Sequence, residues 1–534
     1  MFRNSLYYGD NLQVMREFIA DESVDLVYLD PPFNSARDYN VLFKQAKKDE
    51  NQAQITAFTD TWQWHKGIYI EFFDDPRNAR LFDLMEALHK ILGQSEMMAY
   101  LLMMAPRLLE LHRVLKPIGS LYLHCDPVAS HYLKLVLDVV FAPDRFLNEV
   151  IWKRTNAHSS AKRYGPIHDV ILFYGKSDHF IWNPQYRPYD ESYISNFFRH
   201  EDENGRYQLD NITGSGTRNG ASGLPWRGVD VTKRGRHWMH PPTELDKLDA
   251  AGLIYWPEKG EMPRFKRYLD RMPGVPLQDL FEDVLPIGAH AAERMGYPTQ
   301  KPLALLERII NASSNPGDVV LDPFCGCGTA VVGAEKLGRQ WIGIDITYIA
   351  LDLMIARLKG DFDLKRNVDY DVKGDPKDAY TATKLFEESP KQFEIWAVGL
   401  ANGVPQPEKS GDRGIDGKVY FQDLDGSLQC AVCQVKGGKL TPSAIRDFAH
   451  VIEREKAAMG YFICLQTPTK GMCNEAEELG FFSIGRRKIP KLQIRTIREL
   501  LDKGNDFDFP EGYSLKSGSG RRITREKEQG KLEM

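Results

Sequence analysis

The sequence predicts an α/β protein whose core is a mainly parallel sheet covered by helices on both faces, and three observations support this prediction. Short apolar runs of strand length alternate with stretches whose apolar residues recur at helical spacing. The alternation stops once, in a long segment rich in Gly, Pro, Asn and aromatic residues, and then resumes. The chain has 534 residues, of which 42% are hydrophobic, and this is enough for several cores.

Each predicted element follows from the local pattern of apolar residues. A strand buried on both faces is a continuous apolar run, whereas a helix covering a sheet has apolar residues three and four positions apart. Before the irregular segment, the patterns predict helices at 12–19, 101–115 and 128–141 and strands at 24–29, 120–124, 150–152 and 170–174. After it, they predict helices at 303–310, 329–337 and 349–358 and strands at 319–322 and 341–345.

Changes in composition divide the chain into predicted regions. The segment 361–390 is rich in Lys and Asp and has few large apolar residues, which is typical of a linker. The regions are a Rossmann-like core at 1–176 and 286–360, an irregular insertion at 177–285, the linker at 361–390, a second α/β domain at 391–505 and a disordered tail at 506–534.

The composition excludes several classes of protein. Lys and Arg number 69 against 74 Asp and Glu, a net charge of −5, so a histone-like basic polymer is excluded and any nucleic acid must meet local basic surface. Seven irregularly spaced cysteines fit a reducing compartment, and we expect a cytoplasmic protein. Because 18 apolar residues never occur without a charge, no membrane span is expected.

A strand, a glycine loop, a helix and a second strand follow one another in residues 319–346. Gly326 and Gly328 allow close approach of a ligand to the backbone, and an acid at the end of the second strand accepts hydrogen bonds from ribose hydroxyls. That acid, Asp345, lies 23 residues after Asp322, which fits one strand-helix-strand crossover. The loop lacks the Lys of a P-loop, so a nucleotide-like ligand without phosphates is favoured over a nucleotide. The alternative is a tight turn without a ligand.

The second motif is Asp30-Pro31-Pro32-Phe33, at the end of another core strand. The exocyclic amine of adenine is a poor nucleophile, and a rigid carboxylate next to a backbone carbonyl can hold its N–H groups and direct its lone pair. Asp30 supplies the carboxylate, Pro31 supplies the carbonyl, and Phe33 can stack on an extruded base. The alternative is a proline turn with an Asp that caps a helix.

Together the two motifs resemble those of DNA amino-methyltransferases, in the class whose D-P-P-Y/F motif precedes D-P-F-x-G-x-G-T. Residues 297–302 (YPTQKP) and 123–127 (LHCDP) match further segments of that class, and the resemblance covers most of residues 1–360. It implies a methyltransferase core that uses S-adenosylmethionine, with target recognition in the insertion. Phe33 replaces the usual tyrosine of the class, which preserves stacking but not a hydroxyl contact.

The resemblance also implies roles for individual residues. Catalysis is expected from Asp30, Pro31, Pro32 and Phe33, and cofactor binding from Asp322, Pro323, Phe324, Gly326, Gly328, Thr329, Asp345, Lys301 and Pro302. Asp at the first motif position favours adenine N6 over cytosine N4 as the target. Cytosine C5 is excluded because the chain has no Pro-Cys dipeptide.

The C-terminal domain has a short motif of its own. Its predicted strands are 418–422, 429–436 and 461–465, and its predicted helices are 393–400, 443–458 and 474–479. A hairpin would bring Asp416 beside Gln434 and Lys436, where a carboxylate can hold Mg²⁺ and a lysine can activate water. This resembles the Mrr-type branch of PD-(D/E)-x-K restriction nucleases, in which Glu394 matches a helical acid. The alternatives are a simple hairpin turn and a nuclease-like fold without cleavage activity.

The sequence therefore predicts an adenine-N6 methyltransferase of double-stranded DNA fused to a restriction-nuclease-like domain. One alternative makes the last domain a non-cleaving DNA-binding or partner-docking module, and another has RNA or protein glutamine as the methylated substrate. Arg227, Arg234 and Arg236 in the insertion are expected to contact DNA phosphates, and the alternative is that they form a solvated surface. A homodimer and a partner subunit of a restriction system both stay open.

Overall fold

The structure is a computed structural model of the chain. It describes residues 3–32, 78–93, 95–156, 163–258, 262–288, 291, 293–295, 300–405, 414–422, 428–484, 487–504 and 507–508. In the order of the chain, the helices are α1 Asn11–Phe18, α2 Ala79–Leu92, α3 Glu96–Val114, α4 Pro127–Phe141, α5 Glu191–Phe197, α6 Pro242–Ala250, α7 Leu303–Ser313, α8 Thr329–Lys336, α9 Tyr348–Phe362, α10 Ala379–Glu388, α11 Pro390–Leu400, α12 Pro442–Arg454, α13 Lys470–Glu478 and α14 Ile497–Lys503.

The strands divide among a large core sheet, a set of short strands and a C-terminal group. They are β1 Ser5–Tyr8, β2 Val24–Leu29, β3 Leu115–Cys125, β4 Phe146–Lys153, β5 His168–Gly175, β6 Tyr186–Arg187, β7 His200–Asp202, β8 Gly205–Asn211, β9 Thr213–Ser215, β10 Arg236–Trp238, β11 Ile254–Tyr255, β12 Arg264–Tyr268, β13 Val275–Pro276, β14 Leu280–Phe281, β15 Val319–Asp322, β16 Gln340–Asp345, β17 Asp371–Lys373, β18 Val404–Pro405, β19 Gly417–Gln422, β20 Leu428–Lys436, β21 Met459–Cys464, β22 Phe481–Ile484, β23 Arg487–Pro490 and β24 Leu492–Thr496.

The core is one mixed sheet in the order β14-β4-β5-β3-β2-β15-β16-β1-β17. Neighbouring strands are parallel except where β5 lies antiparallel to both β3 and β4. The predicted α/β fold with a mainly parallel sheet is confirmed.

Apolar side chains cover both faces of this sheet. In β2, Leu26 and Tyr28 pack in one hydrophobic cluster, and Val27 and Leu29 pack in another. Because successive side chains of a strand point to opposite faces, a strand buried on both sides needs a continuous apolar run. This explains why β2 was recognisable from the sequence.

The strand order brings the two motifs to one edge of the sheet. β2 and β15 are parallel neighbours, with Leu26 opposite Val320 and Val27 opposite Leu321, and β16 lies on the other side of β15. The three strands therefore end side by side, with Asp30 just beyond β2 and an acid as the last residue of each of the other two.

Residues 184–278 form a separate compact unit, which occupies most of the expected insertion. Its strands are two to seven residues long, so they give no extended apolar pattern. Its core is small and aromatic, and it contains Ile212, Trp226, Val231, Trp238, Leu245 and Ile254.

The segment 361–390 differs from the linker expected there. β17 pairs in parallel with β1 as the edge strand of the core sheet, and α10 follows it. Tyr370 and Val372 are buried, and the Tyr370 ring packs on Trp341. An edge strand three residues long needs few apolar side chains, so composition alone could not distinguish it from a linker.

The C-terminal region contains a five-stranded sheet in the order β18-β19-β20-β21-β24. β19 and β20 form the antiparallel hairpin expected from the sequence, and β21 and β24 continue in parallel. Across the described parts of the chain, no helix is both long and apolar enough to cross a membrane.

Candidate active site

Three carboxylates converge at the carboxyl edge of the core sheet. Asp322 is buried, and burial raises its pKa well above its usual range, while a hydrogen bond from the Phe324 backbone N–H opposes this shift. The nearby charges of Asp30 and Asp345 raise the pKa of Asp322 further. Burial also raises the pKa of Asp345. Motifs almost three hundred residues apart therefore form one acidic site.

The glycine loop after β15 fixes the orientation of Asp345. The Gly326 backbone N–H donates to Asp345 Oδ2 over 2.8 Å, and the backbone and hydroxyl of Thr347 donate to Oδ1 over 2.9 and 2.8 Å. Gly328 has the left-handed backbone conformation, with φ +76°. Only glycine adopts this conformation without cost, which explains its position in the turn before α8.

A polar chain from the start of the protein supports the same loop. The Asn11 side-chain amide donates to the Pro323 carbonyl over 2.7 Å, and Arg107 Nε donates to Asn11 Oδ1 over 2.6 Å. Arg107 also forms an ion pair with Asp10, which caps α1. Sequence reasoning missed these residues. The only available signal was that Gly9-Asp10-Asn11 follows a strand.

The residues at this edge fit S-adenosylmethionine. Asp345 is held where a ribose hydroxyl can donate to it, and the buried carboxylate of Asp322 is a site for a donor or a positive group. Phe324 is partly buried beside them and supplies apolar surface. Such an acidic and partly apolar site suits a cationic nucleoside without phosphates.

Asp30 is paired with a lysine that the sequence had assigned to cofactor binding. The Lys301 ammonium group forms an ion pair with Asp30 Oδ2, and both side chains are largely buried. The sequence had assigned Lys301 and Pro302 to the cofactor. In the structure, Lys301 contacts the expected catalytic acid and Pro302 is the N-cap residue of α7, and their contact with the cofactor stays a prediction.

A buried network lies close to this ion pair. Burial and the charge of Lys301 lower the pKa of His124, which favours the neutral ring. A neutral ring donates from Nε2 to Asp169 over 3.1 Å and accepts from the Tyr28 hydroxyl at Nδ1 over 2.9 Å. Arg154 completes the network as the ion-pair partner of Asp169, at 3.0 Å. The LHCDP segment had indicated His124, but its partners come from distant strands.

Some expected residues lie outside the described part of the chain. These are Phe33 of the first motif and residues 297–299 of the YPTQKP segment. Pro31 and Pro32 are described, and Pro31 is buried.

The predicted residues of the C-terminal motif also come together. The Val435 backbone N–H donates to Asp416 Oδ2 over 2.6 Å, and Gln434 Nε2 donates to the Gly414 carbonyl over 3.3 Å. Burial raises the pKa of Asp416 to about 6. The charge of Glu394 raises this pKa further, and the charge of Lys436 lowers it. The side-chain oxygen of Gln434 is buried and has no hydrogen-bond partner among the described residues.

The three arginines of the insertion differ in their surroundings. Arg227 forms ion pairs with Asp246 and Asp249, and Arg236 donates to the hydroxyl and carbonyl of Thr213 over 2.8 and 2.7 Å. These two therefore stabilise the 184–278 unit itself. Arg234 is exposed.

The fold and the site define an α/β methyltransferase that uses S-adenosylmethionine. A family model described as DNA methylase, of the N6/N4 type, matches residues 24–355. The chain belongs to this family. A second model, described as NACHT-associated inactive Restriction Endonuclease 1, matches residues 390–502.

Curated relatives agree with the first match. The chain is 30% identical to the type II methyltransferase M.EcaI of Enterobacter cloacae, over 66% of this chain and 69% of that protein. It is 27% identical to the StyLTI Mod subunit, a type III restriction-modification enzyme of Salmonella typhimurium, over 63% of this chain and 50% of the relative. It is 24% identical to the DNA adenine methyltransferase YhdJ of Escherichia coli, over 66% and 82% of the two chains.

Proposed function

We propose that this protein methylates adenine N6 in double-stranded DNA at a specific sequence, as part of a restriction-modification system. The observation that supports this most directly is the position of Asp30, one strand away from the glycine loop at the same edge of the sheet. The choice of adenine rests on Asp at the first motif position. The match to an adenine methyltransferase and to a Mod subunit is consistent with this proposal.

In the proposed mechanism, Asp30 holds the target amine. Lys301 occupies one oxygen of the carboxylate, which leaves Oδ1 to accept an N–H from the extruded base. The Pro31 carbonyl accepts the second N–H. The lone pair of the amine nitrogen is then directed at the methyl group of the cofactor. S-adenosylmethionine would supply an electrophilic methyl group, whose bond to the sulfonium sulfur breaks as its bond to the amine nitrogen forms, leaving a neutral thioether. The amine loses a proton as the new N–C bond forms, and that proton passes to solvent.

Asp30→Ala tests this assignment. We expect methyl transfer to unmethylated duplex DNA to fall at least about 10³-fold, because the acceptor that orients the amine is lost. The affinity for S-adenosylmethionine should stay within about threefold of wild type, because the cofactor contacts lie on the neighbouring strands. Transfer of a radiolabelled methyl group and calorimetric titration measure the two quantities.

The control is Asp144→Ala, which removes a carboxylate whose side chain is 68% exposed. Mass spectrometry of digested DNA identifies the product as N6-methyladenine or N4-methylcytosine. Full transfer by Asp30→Ala would overturn the catalytic assignment, and N4-methylcytosine would overturn the choice of base alone.

We further propose that the 184–278 unit recognises the DNA sequence. Arg234 is the candidate for a phosphate contact, because Arg227, which is also exposed, already forms ion pairs within the unit and Arg236 donates to Thr213.

DNA cleavage is a second candidate activity. Asp416 and the side-chain oxygen of Gln434, which has no hydrogen-bond partner among the described residues, are oxygen ligands of the kind that Mg²⁺ uses. Mg²⁺ commonly keeps several waters as its remaining ligands. However, Lys391 forms an ion pair with Glu394 at 3.1 Å, and the matching family is described as inactive. Both observations favour the non-cleaving alternative.

Incubation of unmethylated plasmid with the protein and Mg²⁺ separates the two alternatives. We expect supercoiled plasmid to stay intact with wild type and with Lys436→Ala. If the wild-type site does not cleave DNA, removal of its lysine has no effect on the plasmid. Nicking by wild type that Lys436→Ala abolishes, with methylation unchanged, would instead establish a nuclease.

A further inference from the structure

Helix α9 lies between the glycine loop and the C-terminal region. It starts directly after Asp345 and its N-cap Thr347, so its position depends on the cofactor edge of the sheet. Its other contacts divide between two partners. One set of side chains touches the glycine loop, and another touches α11, the first helix of the nuclease-like match.

The contacts with the glycine loop are close. Met354 lies against Gly328, where an added Cβ would be 2.6 Å from Met354 Cγ. Met354 Sδ is 3.0 Å from Cys325 Sγ. Arg357 is buried, and its NH1 is 3.4 Å from both the Cys327 carbonyl and the Thr329 hydroxyl. A shift of α9 would therefore move the loop.

The contacts with α11 are equally close. A Cβ added to Gly399 would lie 2.7 Å from Asp352 Oδ2, so this glycine permits the two helices to approach. Gln392 Oε1 accepts from the Tyr348 backbone N–H over 3.5 Å, and the Trp396 ring is 6.4 Å from the Tyr348 ring. Tyr348 in turn stacks on Tyr8 of β1, with ring centroids 3.7 Å apart.

The interface is a continuous core and not a polar surface contact. Phe393 and Trp396 of α11 belong to the same hydrophobic cluster as Met354 of α9 and Val320 of β15. Phe393 is completely buried and Trp396 is 5% exposed. Buried aromatic contacts of this kind dominate interface energetics, which indicates a stable association.

We infer that the C-terminal domain is an internal partner of the cofactor site, and that its packing on α9 sets the affinity for S-adenosylmethionine. Packing of α11 holds α9, and α9 holds the glycine loop in its binding geometry. Coupling between two binding events is reciprocal, so cofactor binding also strengthens the packing of α11. This gives the nuclease-like domain a role that does not require cleavage.

Variants of the full chain test the inference. Gly399→Leu forces α11 away from Asp352, and Trp396→Ala removes an anchor of the interface. We expect each to raise the Kd for S-adenosylmethionine about tenfold in calorimetric titration, a factor within the usual range of couplings between sites. Gly438→Leu is the matched control, because a Cβ there meets no described residue within 4 Å, and it should leave the Kd unchanged.

A second substitution checks that the effect passes through the interface. Asp352→Ala makes room opposite residue 399, so Asp352→Ala combined with Gly399→Leu should recover most of the lost affinity. An unchanged Kd in both Gly399→Leu and Trp396→Ala would overturn the inference.

Hydrogen exchange of the wild-type chain gives an independent measurement if the variants fail to fold. S-adenosylmethionine should slow amide exchange in residues 390–400 as well as in the glycine loop. Protection confined to the glycine loop would overturn the inference. Neither measurement involves DNA, so failure here is distinct from failure of the proposed methylation.

Discussion

Ionisable side chains that are far apart in the sequence are buried next to one another at the active site. Asp30 and Lys301 form an ion pair although they are 271 positions apart, and His124 and Asp169 form a second buried pair nearby. An unpaired buried charge is costly, so these groups require their partners. Asp30 and Asp169 are therefore buried together with partners, which are the Lys301 ammonium group for Asp30 and the His124 ring for Asp169.

Asp352 gives a pH prediction at this scale. Burial raises its pKa to about 7, with Arg366 lowering it and Asp375 raising it. The folded pKa is above that of the unfolded chain, about 3.9, so the folded state binds the extra proton between these values. Asp352 therefore makes the free energy of unfolding fall as pH rises from about 4 to about 7.

Asp352→Asn should reduce this fall by up to about 1.4 kcal/mol per pH unit. Urea unfolding at several pH values from 4.5 to 7.5 measures it, relative to wild type. Asp361→Asn, at the exposed end of the same helix, is the control. Identical pH slopes for wild type and Asp352→Asn would contradict the assigned burial effect.

In the glycine loop, the backbone conformation of one residue sets the turn before α8. Gly328 combines a φ of +76° with close packing on Met354, so any side chain there meets both backbone strain and a steric clash. A left-handed conformation costs a non-glycine residue roughly 1–2 kcal/mol before any clash is counted.

We expect Gly328→Ala to weaken S-adenosylmethionine binding at least about tenfold, since either the turn or α9 must shift. Calorimetry measures the affinity, and circular dichroism monitors folding. Gly360→Ala, where an added Cβ has open space, should leave the affinity unchanged. A folded Gly328→Ala protein with wild-type affinity would mean that the loop tolerates another conformation.

The prediction from sequence succeeded for elements that are buried on both faces. The strands β2, β15 and β16 are short and largely apolar, and the acids that the motifs indicated lie at or directly after their ends. It failed for β17, whose three residues pair with a single neighbour at the edge of the sheet. Most strands of the 184–278 unit have only two or three residues, which show no period, and these were missed for the same reason.

The contacts of residues 361–400 determine how the whole molecule unfolds. β17 belongs to the core sheet, and α11 shares the hydrophobic cluster of the methyltransferase core. The C-terminal region and that core should therefore unfold together in one transition, and not as two independent domains joined by a flexible linker.

Limited trypsin digestion tests this expectation. We expect Lys373 in β17 and Lys384 in α10 to resist cleavage in the native protein, because cleavage requires local unfolding of an ordered segment. Mass spectrometry identifies the fragments, and digestion in denaturant provides the control that both sites are cleavable. Rapid cleavage at either site in native conditions would support a loose connection instead.

The sequence by itself determined the fold class and the three acids at the carboxyl edge of the sheet. Both depend on local signals, which are the period of the apolar residues and the motifs at strand ends. Only the tertiary structure decided that Lys301 contacts Asp30 and that Gly399 packs against Asp352. These contacts join side chains far apart in the chain, and their partners are determined by how the elements pack, which no local pattern records.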